Sequence, residues 1–411
     1  MANVSSSNGL EKRPKLRFPG FDEPIKSTHL SQYLIENKEK NKNLIYTKSD
    51  VLSVSGEYGI VNQIEFQGRS FAGESVAEYH VVETNDIVYT KSPLKANPYG
   101  IIKVNNGVPG IVSTLYAVYH PCEGAVAEYI DYYFGNDLRL NKYLKPLVNI
   151  GAKHDMKINN ETVLTGEVYF PDYSEQKKIV DFLTILDERI RQQRNLVEAL
   201  KKYKRGVMQH IFRRTPTQTV KKWTCVRLGD IFKKVSRRNT DGLVKNVITN
   251  SAEYGLIPQR DFFDKDIAVD GNTANYYVIE KGDFVYNPRK SNTAPYGPFN
   301  RYTLDEKGII SPLYTCLVLK TDIYPSYLAW YFRSDAWHRY IYDNGSQGVR
   351  HDRVSMTDDL LMGIPVIFPD QAKQHEYADV LDKIEARLQA TQKEYDLLVK
   401  MKYGYMQQLF I

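Results

Sequence analysis

Two short basic loops carry residue types that suit nucleic-acid recognition. Gly151-Ala-Lys-His-Asp155 recurs as Gly348-Val-Arg-His-Asp352, each just before the last predicted strand of its region. Glycine permits a close backbone approach, and lysine, arginine and histidine offer donors to phosphate oxygens or to guanine. The alternative is a solvated loop whose histidine caps a neighbouring element. The residues of these loops that we predict to contact nucleic acid are Lys153, His154, Arg350 and His351.

A second basic loop is also repeated. Lys91-Ser-Pro-Leu-Lys-Ala-Asn-Pro-Tyr99 and Asn287-Pro-Arg-Lys-Ser-Asn-Thr-Ala-Pro-Tyr296 both combine cations with Asn and Tyr. Asparagine can read adenine with two hydrogen bonds, and arginine can read guanine in the same way. The alternative is an ordinary surface turn. The remaining predicted contacts are Lys91, Lys95, Asn97, Tyr99, Arg289, Lys290, Asn292, Tyr296 and Arg353, with Arg69 and Arg260 as single cations of the first strand and turn region.

Motifs for catalysis are absent from the sequence. There is no phosphate-binding G-x-x-x-x-G-K-[ST], no G-x-S-x-G, no H-E-x-x-H and no dinucleotide-binding G-x-G-x-x-G. Asn97-Pro-Tyr99 lacks the second proline of the tetrapeptide that amino-methyltransferases use, and Thr293-Ala-Pro-Tyr296 also lacks the asparagine. Pro171-Asp172 with Glu175 and Lys177 has too short a spacing for a nuclease site. We interpret it as a helix start, since acidic residues favour the first turn.

The chain repeats itself at a long interval. Gly206-Val-Met-Gln-His-Ile-Phe212 returns 198 residues later as Gly404-Tyr-Met-Gln-Gln-Leu-Phe410, and Glu57-Tyr-Gly-Ile60 returns as Glu253-Tyr-Gly-Leu256. Solenoid repeats run at roughly 20–50 residues, so each copy here must be a whole domain with an appendage. Two related domains suggest a target with two related halves.

Composition narrows the class of protein. A net charge of +6 and a pI near 8.8 favour a polyanionic partner, and the 31 tyrosines suit either recognition surfaces or strand-rich cores. Three cysteines without C-x-x-C spacing predict neither a disulfide framework nor a metal site, so a reducing cytoplasm fits best. The sequence lacks an apolar run near the roughly 20 residues that span a bilayer, so we expect no membrane association.

Two long helical patterns must position the loops. From Ser174 to Phe212, eight of ten positions of a heptad seam are apolar, with Gln193 and Lys204 as the interruptions, and the second copy has Thr391 and Lys402 at the same places. Since neither helix can bury its stripe alone, we expect the two to pack on each other; the alternative is that each folds back on its own domain. The predicted seam residues are Ile179, Leu183, Leu186, Ile190, Val197, Leu200, Leu381, Ile384, Leu388 and Leu398.

The domain plan follows from these patterns. Short strand-like runs alternate with Gly, Pro and Asn clusters in both copies, and helical stretches are predicted at Ala127–Leu138 and Pro325–Tyr342. The fold class is α/β (α+β), with two pseudo-symmetric mixed domains joined by two long helices in an antiparallel coiled coil. The predicted boundaries are 1–27 for an N-terminal arm, 28–171 for the first domain, 172–214 for the first helical region, 215–369 for the second domain and 370–411 for the last helical region.

The whole chain resembles the specificity subunit of type I restriction-modification systems. The resemblance rests on Lys15-Leu-Arg-Phe-Pro-Gly-Phe21, on Val226-Arg-Leu-Gly-Asp-Ile-Phe232, on Pro-Asp before a Gln-rich helix start in both copies, and on the paired helix ends at Phe212 and Phe410. The sequence departs from the pattern at Thr28-His-Leu-Ser-Gln-Tyr-Leu34, where the second copy has the common Leu-Gly-Asp.

This resemblance implies two target recognition domains, each reading one half of a split, asymmetric site in double-stranded DNA. The helices would set the spacing and dock two modification subunits, which bind S-adenosylmethionine and methylate adenine N6. Two restriction subunits that use ATP and Mg would complete the complex. The chain itself would be non-catalytic, would bind no cofactor or metal, and would work in the cytoplasm.

Two other classes of function remain open at this point. A pseudo-dimeric enzyme would bind a small ligand between its domains, but only His154 and His351 recur in both copies as candidate acid or base groups. A generic DNA-binding adaptor would use the same basic loops without fixed partners. A single-chain methyltransferase is excluded because its cofactor glycines are missing.

Overall fold

The structure is a computed structural model that describes residues 11–150, 156–213, 223–261, 273–345 and 352–411. The described residues form two units, one within 1–193 and 394–411 and the other within 194–393. Each unit contains one mixed α/β domain, part of the first long helix and part of the last helix. The predicted fold class, two mixed domains with two long helices that pack together, is confirmed.

The first unit contains fourteen described strands. They are β1 Glu11–Lys12, β2 Ile25–Lys26, β3 Thr28–His29, β4 Leu34–Asn37, β5 Leu52–Ser55, β6 Gly59–Asn62, β7 His80–Val82, β8 Ile87–Thr90, β9 Ile102–Val104, β10 Gly110–Val112, β11 Tyr116–Pro121, β12 Asn149–Ile150, β13 Met156–Lys157 and β14 Glu167–Val168. Besides the last part of the C-terminal long helix, its described helices are α1 Gln63–Gln67, α2 Ala127–Phe134, α3 Asp137–Leu144, α4 Asn160–Val163 and the first part of α5 Tyr173–Phe212, with short 3₁₀ helices at Leu30–Gln32 and Lys48–Asp50.

The second unit repeats this plan. Its described strands are β15 Thr224–Arg227, β16 Phe232–Val235, β17 Ile248–Ser251, β18 Gly255–Pro258, β19 Tyr277–Ile279, β20 Phe284–Tyr286, β21 Phe299–Arg301, β22 Gly308–Ile310, β23 Thr315–Leu319 and β24 Pro365–Phe368. Its described helices are the last part of α5, α6 Leu228–Ile231, α7 Pro325–Arg333, α8 His338–Asn344, α9 Asp358–Met362 and the first part of α10 Gln371–Gln408, with a 3₁₀ helix at Gln259–Asp261.

Each domain is built on a four-stranded antiparallel sheet of the same order. The first is β4-β11-β8-β9 and the second is β16-β23-β20-β21. The strands β8 and β20 are buried along their whole length, which explains why Thr90 is the one residue of these strands that is not apolar or aromatic. The hairpin β5-β6 matches β17-β18, and the pair β7-β10 matches β19-β22. The sequence repeat is therefore a repeat of topology.

The two domains begin in the same way although their sequences differ there. The amide of Leu30 donates to Gly166 at 3.0 Å, and the amide of Leu228 donates to Ile364 at 2.8 Å. Both leucines are almost fully buried. Both domains thus begin with a buried leucine whose amide donates one backbone hydrogen bond. The sequence of Thr28–Leu34 lacks the Leu-Gly-Asp of the second copy but keeps this leucine and its hydrogen bond.

Both long helices begin at the repeated Pro-Asp. Asp172 accepts a hydrogen bond from the amide of Glu175 at 2.9 Å, and Asp370 accepts one from Lys373 at 3.0 Å. These are N-caps, which satisfy an amide that has no partner within the helix. The backbone hydrogen bond from Glu175 holds the pKa of Asp172 below its ordinary value. The interpretation of this motif as a helix start is confirmed.

Within the first unit the two long helices run antiparallel. Phe182 packs on Tyr405 with ring centroids 5.1 Å apart, and Asp187 pairs with Lys402 at 2.5 Å. Further along α5, Arg189 pairs with Glu394. Successive residues of α5 therefore contact successively earlier residues of α10, as antiparallel helices do. Phe410, two residues beyond the end of α10, lies against Tyr129 and Tyr133 in the core of the first domain.

The second unit contains the complementary ends. Lys204 of α5 pairs with Glu385 of α10 at 2.7 Å, and Phe212 lies against Tyr327 and Tyr331 in the second domain's core. The repeated Gly-x-Met-Gln motif therefore marks the end of a long helix, and the phenylalanine that ends α5 or follows α10 lies in a domain core.

All ten predicted seam residues are buried or half-buried. Ile179 and Leu183 pack into the core of the first domain, and Leu381 packs into that of the second. The seam thus serves two purposes. Its first residues on each helix pack into the domain cores, and further along the helices are joined by the ion pairs Asp187–Lys402 and Lys204–Glu385.

The predicted helical stretches are each broken. Ala127–Leu138 is divided by Gly135 and Asn136, whose side chain caps α3 by accepting from the amide of Arg139 at 3.1 Å. In the second domain Ser334 ends α7, with its hydroxyl donating to Tyr331 at 2.6 Å. Apolar residues continue across both breaks, so periodicity alone could not show them.

The arm before the first domain is bound to the helices in the same unit. Arg17 forms two hydrogen bonds to the carboxylate of Glu175, at 2.8 and 2.7 Å, and the amide of Leu16 donates to Gln408 at 3.0 Å. Phe18 packs on Phe182. Residues close to both ends of the chain therefore meet at one place.

Candidate nucleic-acid interface

The two Pro-Tyr-Gly loops, residues 90–100 and 287–297, share one backbone frame. Gly100 and Gly297 have φ of 89° and 83°, and a Cβ at either position would lie 2.0 Å from a carbonyl oxygen, of Thr90 or Asn287. Only glycine fits such a position. The recurrence of Pro-Tyr-Gly is therefore a structural requirement of the loop.

In each loop a backbone carbonyl accepts a hydrogen bond from the hydroxyl of a buried tyrosine. The hydroxyl of Tyr89 donates to the carbonyl of Tyr99 at 2.7 Å, and Tyr286 donates to Tyr296 at 2.9 Å. Burial raises the pKa of both hydroxyls, so they remain donors at neutral pH. The frame is common to both domains, whereas the outer residues of the loops differ in type and charge.

In the second domain the structure brings two predicted contact segments together. Arg289 and Arg353 are bridge partners on antiparallel backbone segments. The amide of Lys290 donates to Asp352 at 2.9 Å, and the amide of Val354 donates to Pro288 at 2.9 Å. Residues far apart in sequence thus form one basic surface, which includes three predicted contacts: Arg289, Lys290 and Arg353.

An acidic group lies between the two arginines. The Nε atoms of Arg289 and Arg353 are 4.0 and 3.8 Å from Oδ2 of Asp352. These separations exceed hydrogen-bond length, so the carboxylate attracts both guanidiniums without binding either Nε. The Arg289 side chain is 69% exposed and that of Asp352 is 52% exposed, so both are open to a ligand.

A cleft of about 500 Å³ lies beside this surface. Lys290, Asn292, Tyr296 and Asp352 are among its lining residues, together with the exposed Tyr342 of α8. Tyr296 is half-buried and packs on His338, with ring centroids 4.9 Å apart. Donors, acceptors and aromatic faces converge here, as they do at sites that bind nucleotide bases.

The basic surface of the first domain is arranged differently. Lys91 is half-buried, and burial lowers the pKa of its ammonium group. The pKa of His80 is lowered mainly by burial and further by Lys40 and Lys91. Lys95 is exposed at the loop's outer edge. The two domains therefore offer different charge patterns on the same frame.

Other predicted residues lie inward or elsewhere. Asn97 is 7% exposed and donates to Asp137 at 2.9 Å, and Tyr99 packs on the core of the first domain. Arg69 stacks on the exposed Phe71 at 4.6 Å, and Arg260 is exposed in a 3₁₀ helix. Nucleic-acid contact by each of these stays a prediction. Lys153, His154, Arg350 and His351 lie outside the described residues.

The structure adds candidates that loop chemistry did not select. Tyr58 and Tyr254 occupy the tips of the hairpins β5-β6 and β17-β18, and are 57% and 59% exposed. In both tips the backbone amide of the tyrosine donates a hydrogen bond to a serine hydroxyl, that of Ser55 or Ser251. The sequence signal for these tyrosines is the duplicated Glu-Tyr-Gly. The signal for Asp352 is the aspartate that ends both Gly-x-x-His-Asp loops.

In the part of the chain that the structure describes, no cluster of three or more His, Cys, Asp or Glu side chains could hold a metal ion. None of the described helices is long and apolar enough to cross a membrane.

Solved structures with the same fold exist, although no family model and no curated protein matches the chain. A type I restriction-modification system S subunit from M. genitalium superposes with a TM-score of 0.55 at 13% identity, covering 97% of this chain and 99% of that one. A chain solved in work on the assembly of the type I R-M system superposes with a TM-score of 0.53 at 16% identity, covering 97% and 99%. At these identities the likeness is one of fold over the full length.

Proposed function

We propose that this chain is the DNA-specificity subunit of a type I restriction-modification complex. The observation that carries the proposal is the duplicated Pro-Tyr-Gly loop, which has one backbone frame in both domains and different outer residues in each. A split DNA site with two unlike halves needs such a pair of readers. The full-length likeness of fold to a type I S subunit supports the same proposal.

The proposed division of labour follows from chemistry. Lysines along the loops bind phosphates and supply affinity, while Arg289, Arg353 and Asp352 face base edges and supply selectivity. Arginine recognises guanine O6 and N7, and a carboxylate accepts from cytosine N4. Because Asp352 would repel a phosphate, this part of the surface is better suited to the groove than to the backbone.

The long helices would set the distance between half-sites and dock the partners. A 40-residue helix such as α5 is about 60 Å long, enough to hold two readers more than one DNA turn apart. The partners are two modification subunits, which bind S-adenosylmethionine and methylate adenine, and two restriction subunits that use ATP and Mg. This chain selects the site, contains no catalytic group of its own, and acts in the cytoplasm.

Methylation mapping tests the proposal. In a host that carries the chain and its modification partner, methylated adenines should fall in one bipartite motif, and deletion of this gene alone should remove methylation at that motif. The purified chain should not crosslink to S-adenosylmethionine, whereas the reconstituted complex should. Unchanged methylation after the deletion, or labelling of the chain alone, contradicts the proposal and favours an enzyme.

A further inference from the structure

Each long helix begins with a fully buried glutamine that bonds to the adjoining domain. Gln176 and Gln374 are 0% and 2% exposed. The side-chain oxygen of Gln176 accepts from the amide of Val126 at 3.0 Å, and its nitrogen donates to Pro171 and Gly124 at 2.9 and 3.2 Å.

The second domain repeats this contact. The oxygen of Gln374 accepts from the amide of Tyr324 at 2.8 Å, and its nitrogen donates to Pro369 at 2.8 Å. Val126 and Tyr324 are the N-cap residues of α2 and α7, and neither cap uses its own side chain. Each glutamine therefore satisfies the start of a domain helix from the start of a long helix.

A second polar contact lies further along each long helix. The hydroxyl of Tyr132 in α2 donates to Asp187 at 2.8 Å, and the indole nitrogen of Trp330 in α7 donates to Asp382 at 2.8 Å. Asp187 is eleven residues beyond Gln176, and Asp382 is eight beyond Gln374. At 1.5 Å per residue, the two contacts on one helix are about 16 Å apart in the first unit and about 12 Å apart in the second.

Two hydrogen-bonded contacts at separate points along one helix determine the direction of that helix relative to the domain. Burial of apolar surface is non-directional, so it fixes the angle of a helix less strictly than hydrogen bonds do. Hydrogen bonds to fixed backbone partners, three for Gln176 and two for Gln374, restrict the geometry, and a displaced glutamine would leave buried amide and carbonyl groups unpaired. The direction of each long helix relative to its domain is therefore set by polar contacts in both units. The two glutamines are 198 residues apart, as are the donors Tyr132 and Trp330, whereas the accepting aspartates are 195 residues apart.

We infer that Gln176 and Gln374 are positioning residues that restrict the protein to a single spacing between its two DNA half-sites. This inference rests on the proposed function. Base reading by the loops does not depend on these glutamines, whereas the angle at which each domain leaves its helix does. Loss of the amide contacts should widen the range of accepted spacings and leave the bases of each half-site unchanged.

The test is selection of sites from DNA with randomised half-sites and spacers, using the chain complexed with its modification partners. Gln176→Met and Gln374→Met retain side-chain volume and remove the hydrogen bonds. The preference for the best spacing over its one-base-pair neighbours should fall about tenfold in each variant. The matched controls are Gln192→Met and Gln389→Met, because both glutamines are exposed and bond to a glutamate of their own helix; they should select as wild type does.

A milder variant covers the case in which a buried methionine prevents folding. Tyr132→Phe removes one hydroxyl and its bond to Asp187 while keeping the packed ring, and should broaden the spacing by a smaller factor. Wild-type spacing in all folded variants overturns the inference. If the wild-type complex selects no bipartite site, the proposed function fails and the inference fails with it; a narrow wild-type spacing with unchanged variants overturns the inference alone.

Discussion

The ammonium nitrogen of Lys204 lies 2.7 Å from Oε2 of Glu385, on the opposite long helix. Lys402 and Asp187, each 198 residues from the corresponding member of the first pair, are 2.5 Å apart. Lys204 and Lys402, two of the polar interruptions in the predicted apolar seam, therefore form equivalent ion pairs in the two copies of the repeat. Each lysine side chain is about three-quarters buried, so its charge must be matched by an acid.

We expect a double-mutant cycle of Lys204→Ala and Glu385→Ala to give a coupling free energy of about 1 kcal/mol. The reason is that both side chains are shielded from water, with 25% and 24% exposure. Urea unfolding of the four proteins measures it. The control cycle is Lys201 with Glu198, an exposed pair on one helix, for which the coupling should stay below about 0.5 kcal/mol. Equal coupling free energies in both cycles would contradict the idea that burial strengthens the Lys204–Glu385 pair.

Arg17→Ala should lower the free energy of unfolding by about 3 kcal/mol. The carboxylate of Glu175 is only 2% exposed and loses both of its hydrogen bonds to Arg17. Denaturant unfolding monitors the loss, and Arg17→Ala with Glu175→Gln should recover part of it because no buried charge remains. Arg189→Ala removes an exposed ion pair to Glu394 and serves as the control, with an expected loss below about 1 kcal/mol.

Gly297→Ala should destabilise the second domain by at least about 3 kcal/mol. Its φ is 83°, and an added Cβ would lie 2.0 Å from the carbonyl oxygen of Asn287. Gly242→Ala is the matched control, since Gly242 has φ of 64° but open space around it, so only the conformational cost of about 1 kcal/mol applies. Thermal unfolding compares the two. A similar cost at both positions would mean that the loop can move to accept a side chain.

Arg289→Ala should relax the base preference at one position of one half-site, with a loss of about 1–3 kcal/mol in binding the preferred DNA. Asp352→Ala should alter the preference in the same half-site, and Lys95→Ala should act on the other half. Site selection with the reconstituted complex measures each change, with Lys281→Ala as control because Lys281 pairs with Asp305. If Asp352→Ala merely raises affinity for every sequence, the carboxylate repels phosphates and reads no base.

Stability should fall as pH decreases through the range below 6.5, partly because of His338. Burial lowers the pKa of this imidazole from 6.5, and Asp335 opposes the shift. Between the two pKa values the unfolded chain binds more protons than the folded chain, so stability rises with pH and is complete above 6.5. His338→Phe should reduce the slope of unfolding midpoint against pH. An unchanged slope would show that His338 is not protonated on unfolding in this range.

The sequence alone determined the duplication, the two long helices and their starts. Repetition and heptad spacing are local properties, and Asp172 and Asp370 cap their helices through amides three residues away. The glycine of the Pro-Tyr-Gly loops was visible as a repeat, although its cause, a carbonyl oxygen 2.0 Å from the missing Cβ, was not.

Tertiary structure decided which of the predicted contact residues share a surface. Arg289 and Arg353 are adjacent because two backbone segments more than sixty residues apart pair with each other. Asn97 faces inward because Asp137, on a later helix, accepts from its amide. Long-range pairing and burial depend on how the whole chain closes, and no local pattern contains that information. The buried glutamines show the same limit, since Gln176 and Gln374 look like ordinary helix residues until the domain helices they cap are placed beside them.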